Sequence, residues 1–276
     1  MTPDPADPRQ LELLLRRHRI TLQHRLGQNF LVDAAIRDRI ADAARLGPDD
    51  EVLEVGAGLG TLTIALASRA GRVVAVEIDR ALLPALREVV GTMSNVQIVE
   101  GDILRLDVTG EIVAGNIPYN LTGALIRKLL DRSPRPRRLS LVVQKEVAER
   151  WTAPTSASLA TVAVRVFTEP RLEFTIPAEK FSPVPEVDSA LVVLEVRPEP
   201  AVHVDDLDAF FRFVEGVFQF RRKQLGGTVA RIAGVPGAEA ASRLAEIGVQ
   251  AEARPQTLTL PQWEAVYRAF NQPLGR

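Results

Sequence analysis

The fold is decided by the stretch EVLEVGAGLGT, which occupies residues 51–61. Its first five residues form a short, largely apolar run, as expected of a strand buried inside a sheet. Three glycines follow, and beyond them Leu62, Leu66 and Ala70 recur at helical spacing. The stretch therefore predicts a strand, a glycine-rich turn and a helix, in which the turn allows close approach of a ligand to the helix N-terminus.

The same alternation continues toward the C-terminus. Further strands are predicted at 72–77, 96–99, 111–115 and 139–143, and helices at 80–90 and 122–130. This pattern is typical of an α/β fold, here a Rossmann-like, mostly parallel sheet with helices on both faces. Two runs at 171–176 and 190–196 predict an antiparallel hairpin that closes the sheet. Ligands of such sheets bind outside the carboxyl ends of the strands.

A smaller domain is predicted after the hairpin. Pro198 and Pro200 mark a linker, and Gly and Pro signals then separate four helical segments, at 207–220, 224–232, 238–247 and 261–270. We therefore expect a domain at 1–198, in which residues 1–20 form a tail and a first helix, and a small all-α domain at 199–276.

The composition sets broad limits on the chemistry. The chain has 276 residues, of which 46% are hydrophobic and 25% charged, enough to bury a full core. It has no cysteine, which excludes disulfides, thiolate zinc sites and catalysis by a cysteine nucleophile. The three histidines are scattered and predict no metal site. No apolar run approaches the roughly 18 residues that span a bilayer. We therefore expect a cytoplasmic protein, and nothing in the sequence demands a dimer.

Charge is nearly balanced over the whole chain. The formal net charge is -1, so a polyanionic partner would have to meet a local basic surface. Between Arg127 and Arg150 there are eight basic residues and three acidic ones. This segment is either a nucleic-acid contact or a solvated charged face, and the sequence leaves both interpretations open.

The glycine turn and two acidic residues predict a cofactor site at the strand ends. Gly60 comes one residue too early for the Gly-x-Gly-x-x-Gly dinucleotide fingerprint, which argues against NAD. Glu77 ends the second strand, where a carboxylate can accept both ribose hydroxyls of a nucleoside-like cofactor. Asp102 follows the third strand and could accept a hydrogen bond from an adenine amine. A surface role for Glu77 and a turn cap at Asp102 are the alternatives.

The most informative motif is Asn116-Ile117-Pro118-Tyr119, directly after the strand at 111–115. An adenine exocyclic amine is a poor nucleophile because its lone pair is delocalised into the ring. The Asn116 side-chain oxygen and a following backbone carbonyl, held in place by Pro118, could accept both amine hydrogens. Tyr119 could stack on a base taken out of its own stack. The motif therefore favours methyl transfer to such an amine by positioning, and an ordinary Asn-Pro turn is the alternative.

Six motifs together resemble the ribosomal RNA adenine dimethyltransferase family. They are GQNFL at 27–31, EVGAG at 54–58, EID at 77–79, GNIPYN at 115–120, QKEV at 144–147 and FSPVP at 181–185. With the helical tail, the resemblance covers nearly the whole chain. It implies that the chain is an enzyme that uses S-adenosylmethionine as its cofactor.

The resemblance also implies roles for individual residues. Those expected in the cofactor pocket are Gln28, Asn29, Leu31, Gly56, Gly58, Glu77, Ile78, Asp102, Ile103 and Asn116. Those expected at the reacting base are Asn116, Pro118, Tyr119 and Phe181. Phe181 would stack on the target adenine opposite Tyr119, unless it is a core aromatic residue. Those expected to contact RNA are Arg135, Arg137, Arg138, Arg221, Arg222 and Lys223.

One branch of the family is the better match. The sequence FQFRRK at 218–223 resembles the basic motif of the branch that dimethylates two adjacent adenosines near the 3′ end of small-subunit (16S) ribosomal RNA. This implies a small-subunit partner and a role in small-subunit maturation. The alternatives are the antibiotic-resistance branch, which modifies one adenosine of large-subunit RNA, a non-catalytic RNA-binding factor, and methylation of a small molecule or DNA.

The sequence departs from the family pattern in two places. Gly226 and Gly227 stand where the family usually continues with a polar helix, and Glu186 stands where many members carry a basic residue. Both departures concern the expected RNA contacts, and neither touches the methyl-transfer chemistry.

Overall fold

The structure, a computed structural model, describes residues 2–23, 27–118, 121–131 and 134–271. They form two compact units. The first contains the residues up to Glu149 together with Glu169–Val196, and the second contains Arg150–Thr168 together with the residues from Arg197 onward. The segment 150–168, which the sequence placed before the boundary at 198, thus groups with the C-terminal helices. Within that unit Phe167 stacks on Phe211 with ring centroids 5.6 Å apart.

The first unit is built on nine strands. They are β1 (Phe30–Leu31), β2 (Glu51–Val55), β3 (Arg72–Glu77), β4 (Val96–Glu100), β5 (Ile112–Asn116), β6 (Arg138–Gln144), β7 (Thr168–Ile176), β8 (Phe181–Ser182) and β9 (Ser189–Val196). Its helices are α1 (Pro8–Arg17), α2 (Ala34–Ala43), α3 (Thr61–Ala67), α4 (Leu83–Val90), α5 (Thr122–Leu130) and α6 (Lys145–Thr152). Helix α6 and strand β7 each have residues in both units.

Seven of the strands form one sheet in the order β4-β3-β2-β5-β6-β9-β7. Strands β2 to β6 are mutually parallel, and β9 pairs antiparallel with β6. The predicted Rossmann-like α/β fold with an antiparallel end is therefore confirmed. The strand order reverses at β2, which has β3 on one side and β5 on the other, so a ligand crevice is expected at the carboxyl ends of these three strands.

Burial explains why these segments form the centre of the sheet. Val52, Leu53 and Val113 are fully buried, as expected of parallel strands covered on both faces. At the carboxyl end of β5 the backbones come still closer, since a Cβ on Gly115 would lie 2.4 Å from the Val55 carbonyl oxygen. Only glycine fits there, and the next residue, Asn116, is held at the crevice.

A second, two-stranded sheet joins β1 to β8. Phe30 pairs with Ser182 and Leu31 with Phe181 in antiparallel register. Just beyond β1, Asp33 caps α2 by accepting the Ile36 N–H at 3.0 Å. The same carboxylate pairs with Lys180 Nζ at 2.8 Å. The segment entering α2 is therefore fixed to the segment entering β8.

The second unit is helical. Its helices are α7 (Leu159–Phe167), α8 (Leu207–Phe218), α9 (Leu225–Ala233), α10 (Gly237–Glu246) and α11 (Leu260–Asn271), and the last four confirm the helices predicted from the sequence. Trp263 and Phe210 are fully buried between them. Tyr267 packs edge-on against Phe210 at 5.4 Å. In the described part of the chain, no helix is long and apolar enough to cross a membrane.

The two glycines at the start of α9 have different environments. A Cβ on Gly226 would lie 3.0 Å from the Ala251 Cβ and 3.3 Å from its carbonyl oxygen. The Gly226 N–H also donates to that oxygen at 2.8 Å. Gly227 has no atom within 4 Å of the corresponding position. Gly226 thus permits close packing of α9, whereas nothing in its surroundings requires Gly227.

Alanine at these two positions forms a matched pair of substitutions. We expect Gly227→Ala to raise the free energy of unfolding by about 0.5–1 kcal/mol, because alanine loses less backbone freedom in a helix. Gly226→Ala is expected to gain nothing or to destabilise, because Ala251 must shift. Urea unfolding followed by circular dichroism measures both. Equal stabilisation by the two variants would contradict the role of close packing at Gly226.

Candidate active site

A cavity of about 260 Å³ opens where β2, β3 and β5 end. The ten residues predicted for a cofactor pocket all line it, namely Gln28, Asn29, Leu31, Gly56, Gly58, Glu77, Ile78, Asp102, Ile103 and Asn116. Pro118 and Phe181 line it as well. Tyr119 lies outside the described residues, so its place opposite Phe181 stays a prediction. The structure thus brings together motifs that are far apart in the sequence.

The glycine turn forms one wall of the cavity. Gly56 and Gly58 adopt left-handed backbone angles, with φ of 75° and 59°, which glycine accepts without strain. The Gly56 N–H donates to the Val76 carbonyl oxygen at 2.9 Å, and the Gly58 N–H donates to Glu77 Oε2 at 2.7 Å. These bonds turn the chain after β2 toward the end of β3.

Glu77 lies buried at the end of β3, with 5% of its surface exposed. Its Oε2 accepts the Gly58 N–H, and its Oε1 accepts the Asp79 N–H at 2.8 Å. Burial raises the pKa of this carboxyl, and the backbone hydrogen bonds oppose that rise. Each carboxylate oxygen keeps a further lone pair. Glu77 can therefore still accept hydroxyl groups of a ligand.

Asp102, beyond the end of β4, has two features. Its Oδ1 accepts the Leu104 N–H at 2.9 Å, so the residue caps a turn, as the alternative interpretation of the sequence proposed. Asp102 also lines the cavity. Its Oδ2 lies 3.5 Å from the Arg105 Nε, and that arginine side chain is 88% exposed. A turn cap and a ligand-facing acceptor are therefore compatible at this position.

The described lining of the cavity is acidic. It contains the carboxyl groups of Glu54, Glu77 and Asp102 and no lysine or arginine. Such a lining suits a ligand with positive charge and disfavours a pyrophosphate, which needs cations or free backbone N–H groups. Within the described ranges, no group of three or more His, Asp or Glu side chains is placed to hold a metal ion.

Glu54 is a buried acid that the sequence analysis did not single out as a site residue. It is 1% exposed, and its Oε2 has no hydrogen-bond partner among the described residues. Burial, with a smaller contribution from the charge of Glu77, raises the pKa of the Glu54 carboxyl to about 7. Its sequence signals were its place near the end of β2, two residues before the glycine turn, and its membership of the EVGAG motif at 54–58.

The side chain of Asn116 has a defined orientation at the end of β5. Its Nδ2 donates to the Asn29 carbonyl oxygen at 2.9 Å. The reversed amide would bring two oxygens together, so the network fixes which atom faces Asn29. The Asn116 Oδ1 is therefore left to accept hydrogen bonds from a ligand.

Phe181 is buried, with 3% of its surface exposed, and belongs to the apolar core of the first unit. It also lines the cavity, so core packing and contact with a ligand are not exclusive. Val184, within the FSPVP segment, and Val187, two residues beyond it, are 65% and 45% exposed. Stacking of Phe181 on a base stays a prediction.

The structure does not bring Arg137 and Arg138 to the cavity. Arg138 pairs with Ile112 at the amino ends of β5 and β6, whereas Asn116 pairs with Val142. Four residues of strand separate the two positions, about 13 Å. The Arg138 Nε also donates to Glu195 at 2.8 Å, and Arg137 pairs with Asp50 at 2.6 Å.

Of the other basic residues predicted to contact RNA, Arg135 does not line the cavity, and Arg221, Arg222 and Lys223 belong to the second unit. The Arg135 Nε donates to the Leu130 carbonyl oxygen at 2.6 Å. Arg221, Arg222 and Lys223 are exposed in the turn after α8. Contact of these basic residues with RNA stays a prediction.

Comparison with known proteins assigns the family. A family model described as ribosomal RNA adenine dimethylase matches residues 19–271. The ribosomal RNA small subunit methyltransferase A of Pelotomaculum thermopropionicum is 42% identical, over 96% of this chain and 97% of that protein. The protein of the same name from Oceanobacillus iheyensis is 36% identical, over 97% and 96%.

Solved structures show the same fold. The crystal structure of the 23S rRNA methyltransferase ErmE superposes with a TM-score of 0.72 at 31% identity, over 88% of this chain and 100% of that one. A dimethyladenosine transferase from Plasmodium falciparum superposes with a TM-score of 0.71 at 24% identity, over 86% and 95%. The second likeness concerns the fold alone.

The buried acid Glu54 predicts a pH dependence of stability. Its pKa rises from 4.5 to about 7 on folding. The folded state therefore holds a proton that the unfolded state loses between these pH values, so the stability that Glu54 contributes falls as the pH rises through this range. Relative to Glu54→Gln, the wild type should lose about 3 kcal/mol of unfolding free energy between pH 4 and pH 8.

Urea unfolding of both proteins at several pH values measures this difference. Substitution by glutamine removes the titrating group, so the pH effects of groups that do not interact with Glu54 cancel when the two curves are subtracted. A difference between the two proteins that stays constant over the range would contradict a buried, protonated Glu54.

Proposed function

This chain belongs to the ribosomal RNA adenine dimethylase family and is a methyltransferase, and on that premise we propose its substrate and cofactor. It transfers methyl groups from S-adenosylmethionine to the exocyclic amines of two adjacent adenosines near the 3′ end of small-subunit ribosomal RNA. The observation that carries the proposal is the Asn116 amide, whose oxygen is left free for an amine beside a cavity suited to a nucleoside.

The small-subunit substrate is preferred because of the similarity to relatives. The chain is 42% identical to a small-subunit methyltransferase over 96% of its length, and 31% identical to the large-subunit enzyme ErmE over 88%. The large-subunit alternative rests on the similarity to ErmE. A non-catalytic factor is disfavoured, because Asn116 and Glu77 both line the cavity.

The residues of the cavity fit S-adenosylmethionine. Glu77 offers carboxylate oxygens for the ribose hydroxyls, and Asp102 offers Oδ2 for the adenine amine. Ile78, which is 50% exposed, and the buried Ile103 flank the cavity with apolar surface. The acidic lining matches the positive charge of a sulfonium and an α-amino group. When bound, this cofactor supplies a methyl group that is activated toward a nucleophile.

Asn116 prepares the nucleophile. Its Oδ1 accepts one hydrogen of the adenine amine, and the Ile117 carbonyl accepts the other. Pro118 fixes the direction of this carbonyl because its ring restricts the backbone. With both hydrogens held, the amine nitrogen becomes more pyramidal, and its lone pair is directed out of the ring system toward the methyl group.

No strong base is needed to complete the transfer. Methyl transfer would form an N–C bond at the amine as the S–C bond of the methyl donor is broken, and would leave the positive charge on the amine nitrogen. That nitrogen is acidic and releases its proton to water. The chain therefore contributes mainly positioning, which can supply much of the acceleration of a reaction between two bound partners.

The RNA must present its adenine outside a helical stack for this geometry to apply. Arg221, Arg222 and Lys223 in the second unit are exposed and could contact phosphate groups. We place the reaction in the cytoplasm, on a small subunit or its precursor, with the enzyme acting as a monomer.

Two variants separate the proposed roles at the cavity. Asn116→Ala removes the amine acceptor, so we expect methyl transfer to fall at least about a hundredfold while cofactor binding stays measurable. Glu77→Ala removes the ribose acceptor, so the cofactor affinity should fall first, by about tenfold or more. Single-turnover methyl transfer and calorimetric titration measure the two quantities. Wild-type transfer rates in Asn116→Ala would contradict the mechanism.

The substrate is tested with labelled methyl groups. Small-subunit particles that lack the modification, and large-subunit RNA as the comparison, are incubated with the enzyme and labelled S-adenosylmethionine, and the product nucleotides are mapped. We expect two adjacent dimethylated adenosines near the 3′ end of the small-subunit RNA. Label in large-subunit RNA would instead support the alternative branch, and label in neither would favour a binding factor.

A further inference from the structure

Residues 27–29 line the cavity and connect the loop after β3 with the end of β5. At one end, Gln28 Nε2 donates to Asp79 Oδ2 at 2.6 Å, two residues beyond the end of β3. At the other end, the Asn29 carbonyl oxygen accepts from Asn116 at the end of β5. Gly27 lies beside Pro118, since a Cβ on Gly27 would be 3.4 Å from the Pro118 Cβ. The segment thus links the two halves of the site.

Both ends of the Gln28 amide are engaged within the protein. Its Nε2 donates to Asp79, and its Oε1 accepts the Gln23 N–H at 2.7 Å. A reversed amide would bring Oε1 against the carboxylate and Nε2 against an N–H, so one orientation is fixed. Although Gln28 lines the cavity, its polar atoms are directed at the chain itself.

Asp79 connects this segment to Glu77. It is 6% exposed, and its N–H donates to Glu77 Oε1 at 2.8 Å. Its Oδ1 accepts the Ala81 N–H at 3.0 Å. Its Oδ2 accepts from Gln28 and also from Gln23 Nε2, at 3.3 Å. The carboxylate is therefore held by its own turn, and it can hold the segment in place.

We propose that the hydrogen bond between Gln28 Nε2 and Asp79 Oδ2 is a latch that fixes residues 27–29 and thereby orients the Asn116 amide for the reaction. Gln28 and Asp79 are then positioning residues, and neither needs to touch the cofactor or the base. A hydrogen bond to a nearly buried carboxylate is among the stronger ones in proteins. The latch rests on the proposed function for its activity readout and has an independent readout in cofactor binding.

Exchanging the two functional groups tests the latch. Asp79→Asn places an amide donor against the Gln28 donor, and Gln28→Glu places two carboxylates against each other. The double variant Asp79→Asn/Gln28→Glu restores one donor and one acceptor with the charge moved to the other partner. In that protein the carboxylate at position 28 can also still accept the Gln23 N–H. The volumes of the side chains hardly change in any of the three variants.

Both single variants should bind S-adenosylmethionine about tenfold more weakly, measured by calorimetric titration, and should show a lower kcat at saturating cofactor. The double variant should recover both quantities to within about threefold of the wild type. Asp7→Asn is the matched control, because Asp7 Oδ1 also accepts a backbone N–H, from Arg9 at 2.8 Å, and its Oδ2 accepts a glutamine amide, from Gln10 Nε2 at 3.2 Å, but Asp7 caps α1 and does not line the cavity. It should leave affinity and kcat unchanged.

Several results would overturn the latch. Single variants that melt at a lower temperature yet keep the wild-type affinity and kcat would assign these residues to stability alone. A double variant as impaired as the single ones would also contradict the proposal. A wild type that binds S-adenosylmethionine but methylates no RNA would refute the proposed function. In that case the S-adenosylmethionine affinities of the single and double variants would still test the latch.

Discussion

The Asn116 amide meets the Asn29 carbonyl oxygen at 2.9 Å, and this contact permits a single orientation of the side chain. An amide has one donor end and one acceptor end, so engaging the donor leaves the acceptor for a ligand. For this contact to form, the end of β5 must lie beside Asn29, the residue before β1. Gly115 satisfies this condition, since any side chain there would collide with the Val55 carbonyl. Backbone packing within the sheet thus determines which atom of Asn116 is free for chemistry.

The sheet topology explains why an acidic cavity forms beside that amide. Parallel strands end at one edge, and the reversal of strand order at β2 opens a crevice there. Glu54 and Glu77 lie at the ends of neighbouring strands, and Asp102 follows the next strand along the sheet. A cationic cofactor would offset the negative charge of Glu77 and Asp102, whereas a pyrophosphate would add to it. The same arrangement therefore favours the proposed cationic cofactor, in a cavity that Asn116 also lines.

Much of this arrangement follows from the sequence, and the exceptions have physical causes. The runs at 72–77 and 122–130 were predicted with their observed bounds, because strands and helices that bury one pattern of apolar residues show it clearly. Strand β1 has two residues and carries no periodic signal, so its pairing with β8 could not be predicted. The motifs indicated which residues line the cavity, but the partners of Gln28 and Arg138 depend on contacts between distant segments. The grouping of 150–168 with the C-terminal helices has the same cause.

A crystal structure of the chain with S-adenosylhomocysteine and a short RNA that presents an unpaired adenosine tests the central claim most directly. The account predicts that the adenine amine lies within hydrogen-bond distance of Asn116 Oδ1 and the cofactor ribose within that distance of Glu77, with Asn116 Nδ2 still bonded to Asn29. An adenine amine bound away from Asn116, or a cofactor bound outside the cavity, would contradict it.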